Sequence, residues 1–296
     1  STMGPLDLNA GQVPGAGNAG RPLYAKYGRT TNSVIYTPIA TNMYDSLQTR
    51  LERRFAQGLQ IGATYTWSKV IGWSQNSGGP WVQALSYFRL NKRVLSFDRT
   101  HNLQLSGIWE LPFGAKKRFV STNRAASAVL GGWRINTLAS FMSGTPFSVS
   151  SSGTSLDMPG SSQVADLVKP EVKILGGVGR GQSFFDPFAF APVTQARFGT
   201  AGANLLRGPG IVNTNVGLGR TFTLTERFSL QFRMEAFNFT NTPHFSAPGA
   251  NVSNMVLNPD GTIRSLNGYT EITGVANTGR DGIDERMFRL GLRLSF

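Results

Sequence analysis

Asp98 and His101 stand three residues apart and are the best acid–base pair in the chain. General acid–base work needs a third group to orient such a pair over a held substrate, and the sequence implies none. In a strand, positions 98 and 101 also point to opposite faces. The pair therefore reads as a rim hydrogen bond or a turn cap beside Arg99. His244 follows Pro243 and reads as a loop residue. With two histidines and no cysteine, a three-histidine zinc site and any thiolate-ligated metal are excluded. Gly176-Gly177-Val178-Gly179-Arg180-Gly181 has the glycine density of a phosphate cradle. A cradle needs a preceding strand, a following helix and a Lys-Ser or Lys-Thr end. Gln182-Ser183-Phe184-Phe185 follows instead, so this stretch reads as a flexible loop. Asp281, Asp284 and Glu285 form an acidic cluster whose spacing departs from the calcium-loop pattern. It reads as a rim turn beside Arg280 and Arg286, and Asp157 and Asp166 stand isolated. No catalytic, metal or cofactor residue is assigned, and the chain reads as a non-enzyme.

The composition points the same way. Charged residues make up 15% of the 296, against roughly 25% in an ordinary soluble domain. The net charge is nevertheless +13, from 29 basic and 16 acidic residues. The basic residues are spread along the chain, with no run longer than Lys116-Lys117-Arg118, which fits a turn, and no recognition helix accompanies them. A nucleic-acid partner is therefore not assigned. No stretch reaches the 18 to 20 apolar residues of a transmembrane helix.

The elements that must position the remaining side chains have a period of two. Leu47 to Phe55 alternates apolar and polar, a Gln57-Gly58 turn follows, and Leu59 to Trp67 alternates again. This is a hairpin signature. The pattern recurs over Leu103–Leu111, Trp133–Phe141, Val212–Leu218, Phe228–Ala236 and Phe288–Phe296. A soluble sandwich alternates too. These segments are longer than soluble strands, however, and are bounded by Trp, Tyr and Phe, as in a membrane barrel with aromatic girdles. The expected fold is all-β, an antiparallel outer-membrane-type β-barrel.

The outer apolar face is expected to carry Leu59, Tyr65, Trp67, Leu105, Trp109, Leu230 and Phe232. The inner polar face is expected to carry Arg50, Glu52, Arg54, Glu110, Arg134, Arg233, Glu235, Arg289 and Arg293, with arginines and glutamates pairing across strands. Any unpaired arginines would favour anionic solutes. Residues 1–32, rich in Gly and Pro, read as an extended arm. A first extended segment runs from Ser33 to Ala40, stopped near Pro38. Residues 33–296 read as the barrel-type domain, with long loops near 71–99, 151–210 and 243–286 and a small strand at Tyr269–Val275.

Several stretches resemble the C-terminal barrel of TonB-dependent transporters, specifically the Oar-like group. They include Tyr44-Asp45-Ser46-Leu47-Gln48, Tyr65-Thr66-Trp67-Ser68-Lys69, Asp98-Arg99-Thr100-His101 and Leu111-Pro112-Phe113-Gly114. Others are Ser143-Gly144-Thr145-Pro146-Phe147, Leu206-Arg207-Gly208-Pro209-Gly210 and Glu235-Ala236-Phe237-Asn238-Phe239-Thr240-Asn241. Phe288, Leu290, Leu292, Leu294 and Phe296 resemble the C-terminal insertion signal of outer-membrane proteins, which marks this end as the native terminus. The resemblance implies a 22-stranded barrel preceded by a plug, located in the outer membrane and serving uptake of a large solute.

With room for about 8 to 12 strands, this chain is partial or small against such a barrel. An open edge in hydrocarbon strands its backbone N–H and C=O groups at several kcal/mol each. The expected partners are therefore outer-membrane lipid and either the N-terminal barrel and plug portion or copies of this chain. The rival reading is a structural protein whose copies polymerise into an extracellular tube or filament.

Overall fold

The computed structural model describes residues 2–73, 79–114, 117–119, 124–276 and 285–296. The first strand, β1 (Thr2–Asp7), pairs antiparallel with β2 (Val34–Ala40). Seven long strands then follow: β3 (Asn42–Ala56), β4 (Leu59–Gly72), β5 (His101–Glu110), β6 (Arg134–Met142), β7 (Ile211–Thr223), β8 (Ser229–Phe237) and β9 (Met287–Ser295). They form one sheet in sequence order, every neighbour antiparallel, and Arg93–Val94 adds a two-residue pairing beside β4. The path starts at β3 and ends at β9, and the two are not paired with each other among the described residues. The fold is thus a predominantly antiparallel sheet, a barrel-type wall with two open edges.

Each strand alternates in polarity, so a single register assigns every side chain to a face. Connections alternate in length as well. Gln57-Gly58 and residues 224–228 close tight turns at one rim, where Gln57 and Gly58 both take positive φ. Residues 111–133 join β5 to β6 at that same rim and include the short helix Arg124–Leu130. Residues 73–100, 143–210 and 238–286 all emerge at the opposite rim.

The dry core lies in those excursions and not in the sheet. Val149, Ala165, Phe185, Phe190, Val252, Tyr269 and Ile272 are buried together, with Phe185 edge-on to both Phe190 and Tyr269. A smaller cluster joins Val82, Ala84, Leu156 and Met158 beneath Trp81, Tyr87 and Phe198. Burial drives the Tyr269 phenol well above its ordinary pKa.

Two expectations need correction. Residues 2–32 are not an extended arm: Asp7, Asn9 and Arg21 are buried there. The Asn9 side chain donates to the carbonyls of Arg29 and Thr31 and accepts from Leu23 N–H, which folds the segment back on itself. Backbone bonds from Gly11, Gly15 and Gly17 then tie it to residues 156–159. The segment expected at Ser33–Ala40 forms as β2, which runs through Pro38 and ends at Ala40. The β1–β2 register skips a residue between Thr2 and Gly4, opposite Pro38, so the missing N–H falls at a bulge. Tyr269–Val275 forms only isolated bridges, because its partners are single residues, Ser183 from one segment and Phe245 and Gly249 from another.

Candidate functional site

Cross-strand partners share a face, so the register can be read as rows. One face carries Tyr65–Leu103–Phe141–Val212, then Ala63–Leu105–Ala139–Thr214, then Leu59–Trp109–Ile135–Leu218–Met234–Leu290. The expected apolar residues Leu59, Tyr65, Trp67, Leu105, Trp109, Leu230 and Phe232 all occupy this face, and none is buried. Phe288, Leu290, Leu292 and Leu294 continue it on β9, with Phe296 just beyond. Leu51 and Leu290 are 69% and 74% exposed. A contiguous apolar surface of this extent is not stable against water.

Aromatics bound the surface. Phe141 and Trp133 flank β6 eight positions apart, about 27 Å along a strand and about 20 Å along the membrane normal at the usual tilt. At the tight-turn end, Trp133 packs edge-on to Phe222 and Phe232. Arg220 departs from the apolar pattern of its face. Its guanidinium lies over the Phe222 ring, 4.2 Å from the centroid, and donates to the carbonyls of Ala128 and Val129 at the end of the short helix. The charge thus compensates the helix C-terminus beside the aromatic belt.

The opposite face carries Arg50, Glu52, Glu110, Arg134, Arg233, Glu235, Arg289 and Arg293, among Gln60, Thr64, Gln104, Asn136, Ser140, Asn213 and Asn215, while Arg54 falls where the β3–β4 register shifts between Arg53 and Ala56. Glu110 binds Arg134 across the strand at 2.8 Å and Lys117 at 3.4 Å. The other two pairs join neighbours on one strand rather than across it: Arg50 to Glu52 at 2.8 Å and Arg233 to Glu235 at 2.9 Å. Side chains two apart already share a face, so the same-strand partner is within reach. Arg289 lies over the Phe237 ring. Five arginines against three glutamates leave this face positive. The hollows that the sheet forms are lined mainly by this face, as on the concave side of a curved sheet. One of them, about 380 Å³, is lined by Glu110, Lys117, Arg134, Gln231 and Arg233.

The candidate acid–base pair is split by the fold. Asp98 is fully buried, accepting from Val70 N–H at 2.7 Å and the Thr100 hydroxyl at 3.1 Å, and pairing with Arg207 at 2.5 Å. His101 lies exposed, its Nδ1 2.8 Å from the Tyr65 hydroxyl. Arg207 also donates to the Gly144 carbonyl, and Arg99 donates to that of Ser143. Three separate motifs therefore meet at one rim joint. Spacing alone gave no sign of it, because Asp98 and Arg207 are 109 residues apart.

Other candidates are internal fasteners. The Gly176–Gly181 stretch, expected to be flexible, is held by backbone bonds to Phe184, Ser183 and Ile272. The Glu271 carboxylate accepts from the N–H groups of Gly181 and Gly268, filling the place an anion would take. His244 is buried and bonds the Val212 carbonyl. Asp166 is not isolated: Arg197 clamps it with two 2.8 Å bonds, which hold its carboxyl below the usual range. Of the acidic cluster, Asp281 and Asp284 lie outside the described residues, as do Lys116 and Arg280. Among the described residues no group of three His, Asp or Glu side chains has metal-site geometry. No described helix is long and apolar enough to cross a membrane.

Residues 2–281 match the family described as outer membrane beta barrel domain. The chain belongs to that family. No curated protein and no solved structure matches it. The outer membrane beta barrel domain is a structural fold and not a catalytic one. Membership makes this chain a barrel-forming, outer-membrane-associated protein.

Proposed function

We propose that the chain forms part of the wall of a TonB-dependent, Oar-like outer-membrane transporter and serves solute uptake within a larger assembly. The observation that carries the reading is the separation of the two faces. One is apolar, aromatic-bounded and exposed; the other is polar, glycine-rich and positively charged. The apolar face meets lipid, and the polar face lines an aqueous path that favours anionic solutes. The folded excursions above one rim narrow the entrance.

Adjacent residues on β5 test the wall. Leu105→Arg places a charge near mid-belt on the apolar face, where lipid would impose about 2 to 4 kcal/mol. Folded yield in outer membranes should fall at least tenfold, while Ser106→Arg stays within twofold of wild type. Equal tolerance of the two substitutions refutes a lipid-facing side. The transporter assignment further requires that solute uptake by the native assembly stop when the inner-membrane proton gradient is collapsed. Persistent uptake would make the wall that of a passive pore.

A further inference from the structure

In one row of the polar face, arginine and glycine alternate. The register sets Glu110 beside Arg134, Arg134 beside Gly219, Gly219 beside Arg233 and Arg233 beside Gly291. Glycine weakens a strand interior and often marks a bulge or a place where another backbone or a ligand approaches closely. Gly219 sits at no bulge: the β7–β8 register runs through it unbroken, the β6–β7 register reaches it without a shift, and its φ is not positive. A Cβ there would meet only the Phe232 carbonyl oxygen, at an ordinary 3.7 Å. The position is therefore open floor between two arginines, whose strands lie about 10 Å apart.

The same row lines the hollow of about 380 Å³ at the tight-turn rim, a volume within the roughly 300 to 1,000 Å³ of small-ligand sites. Lys117, Arg134, Arg220 and Arg233 line it against one carboxylate, Glu110. Glu110 engages two of these cations as an oxyanion would, Arg134 at 2.8 Å and Lys117 at 3.4 Å. Arg134 and Arg233 are each fastened through one terminal nitrogen, to Glu110 and to Glu235, and a guanidinium carries five N–H donors in a planar fork. The Arg220 Nε–H is buried without a hydrogen-bond partner among the described residues. Glu110 and Glu235 cancel two of the four positive charges, so two remain. A phosphate monoester carries a charge of about −1.5 to −2 at pH 7, whereas a carboxylate carries a single one.

We propose that this hollow binds a phosphate-type dianion, seated over Gly219 and held by Arg134, Arg233 and Lys117. Thr221 and Gln231, paired in the next row of the lining, supply neutral donors. The site deepens the reading of the polar face as a water-lined path for anionic solutes and rests on it. The dianion is free phosphate or the phosphoryl group of a solute in that path.

Calorimetric titration of the native product, extracted in neutral detergent, with inorganic phosphate at pH 7 and constant ionic strength should show saturable binding. Arg134→Gln and Arg233→Gln should each weaken it about tenfold or more. Gly219→Val fills the floor with a good strand former and leaves every charge in place. It should weaken binding by a similar factor without lowering folded yield. Glu110→Gln should tighten binding about tenfold, a gain that misfolding cannot produce. Arg50→Gln makes the same charge change on the same face outside the hollow and should stay within about twofold. Acetate should bind about tenfold more weakly than phosphate. Glycerol phosphate separates the sources: tighter binding than inorganic phosphate assigns a solute's phosphoryl group, and equal or weaker binding assigns free phosphate. The proposal is overturned by no saturation up to about 10 mM phosphate, by full binding in Gly219→Val, by equal losses in Arg50→Gln and Arg134→Gln, or by acetate binding as tightly as phosphate. Each of these results would leave the lipid-facing reading intact, since the Leu105 and Ser106 comparison lies outside the hollow.

Discussion

Removing the guanidinium at the rim joint should loosen the cap that the folded excursions form over one rim, without touching the sheet. Arg207→Ala deletes the 2.5 Å pair with Asp98 and the bond to the Gly144 carbonyl. Breaking a buried pair by removing one partner costs about 3 to 5 kcal/mol. Here the loss is smaller. Asp98 keeps two hydrogen bonds, and the Arg207 side chain is 33% exposed, so water reaches the vacated side. A cost of about 2 kcal/mol is expected, or about 30-fold in the population of the opened joint. Limited proteolysis within residues 143–210 reads that population when opening is fast relative to cleavage. Cleavage should accelerate by about that factor. Adding Asp98→Asn should restore part of the loss, because the stranded charge is removed with its partner. Cleavage of Arg207→Ala within twofold of wild type would refute the joint as an energetic link.

Two further perturbations probe neighbouring parts of the cap. Gly144→Ala would place its Cβ 1.7 Å from the Gly208 carbonyl oxygen. It should cost about 3 kcal/mol or more, read as loss of protease-resistant protein, and a stable variant would contradict the close backbone approach. The Asp166 carboxyl is held below the usual aspartate value of about 3.9 by Arg197. Its contribution is therefore complete above about pH 5 and is lost as pH falls through the depressed value. Proteolysis of wild type across this range should rise on acidification, and Asp166→Asn should remove that part of the acid limb; an unchanged limb would show that the clamp contributes nothing.

The sheet was legible in the sequence because its side chains obey a rule of period two. Leu59 to Trp67 and Leu103 to Leu111 declare both a strand and a face, and the register follows once their turns are placed. The cap obeys no such rule. Phe185, Phe190, Tyr269 and Ile272 are buried by irregular backbone, where no spacing separates a core residue from a surface one. His244 looked like an ordinary loop residue, and Glu271 drew no reading of its own, because their partners, Val212 and Gly181, are fixed only by the folded chain. The same limit hid Arg207: its motif was recognisable, but its buried counter-charge lies on a different excursion. For the N-terminal segment, Gly and Pro content suggested an extended arm, whereas one buried asparagine with three backbone bonds folds it.

Both dry clusters draw on segments far apart in the chain. The larger combines residues 147–206 with 245–272, and the smaller combines 81–87 with 156–158 and 198. No single excursion can bury its own apolar side chains. The cap must therefore mature late, after the last strands have brought the excursions side by side. It also follows that one loop cannot be transplanted to a different barrel by itself: the smallest portable unit is the full set of excursions, and a graft of any one alone would arrive without an interior.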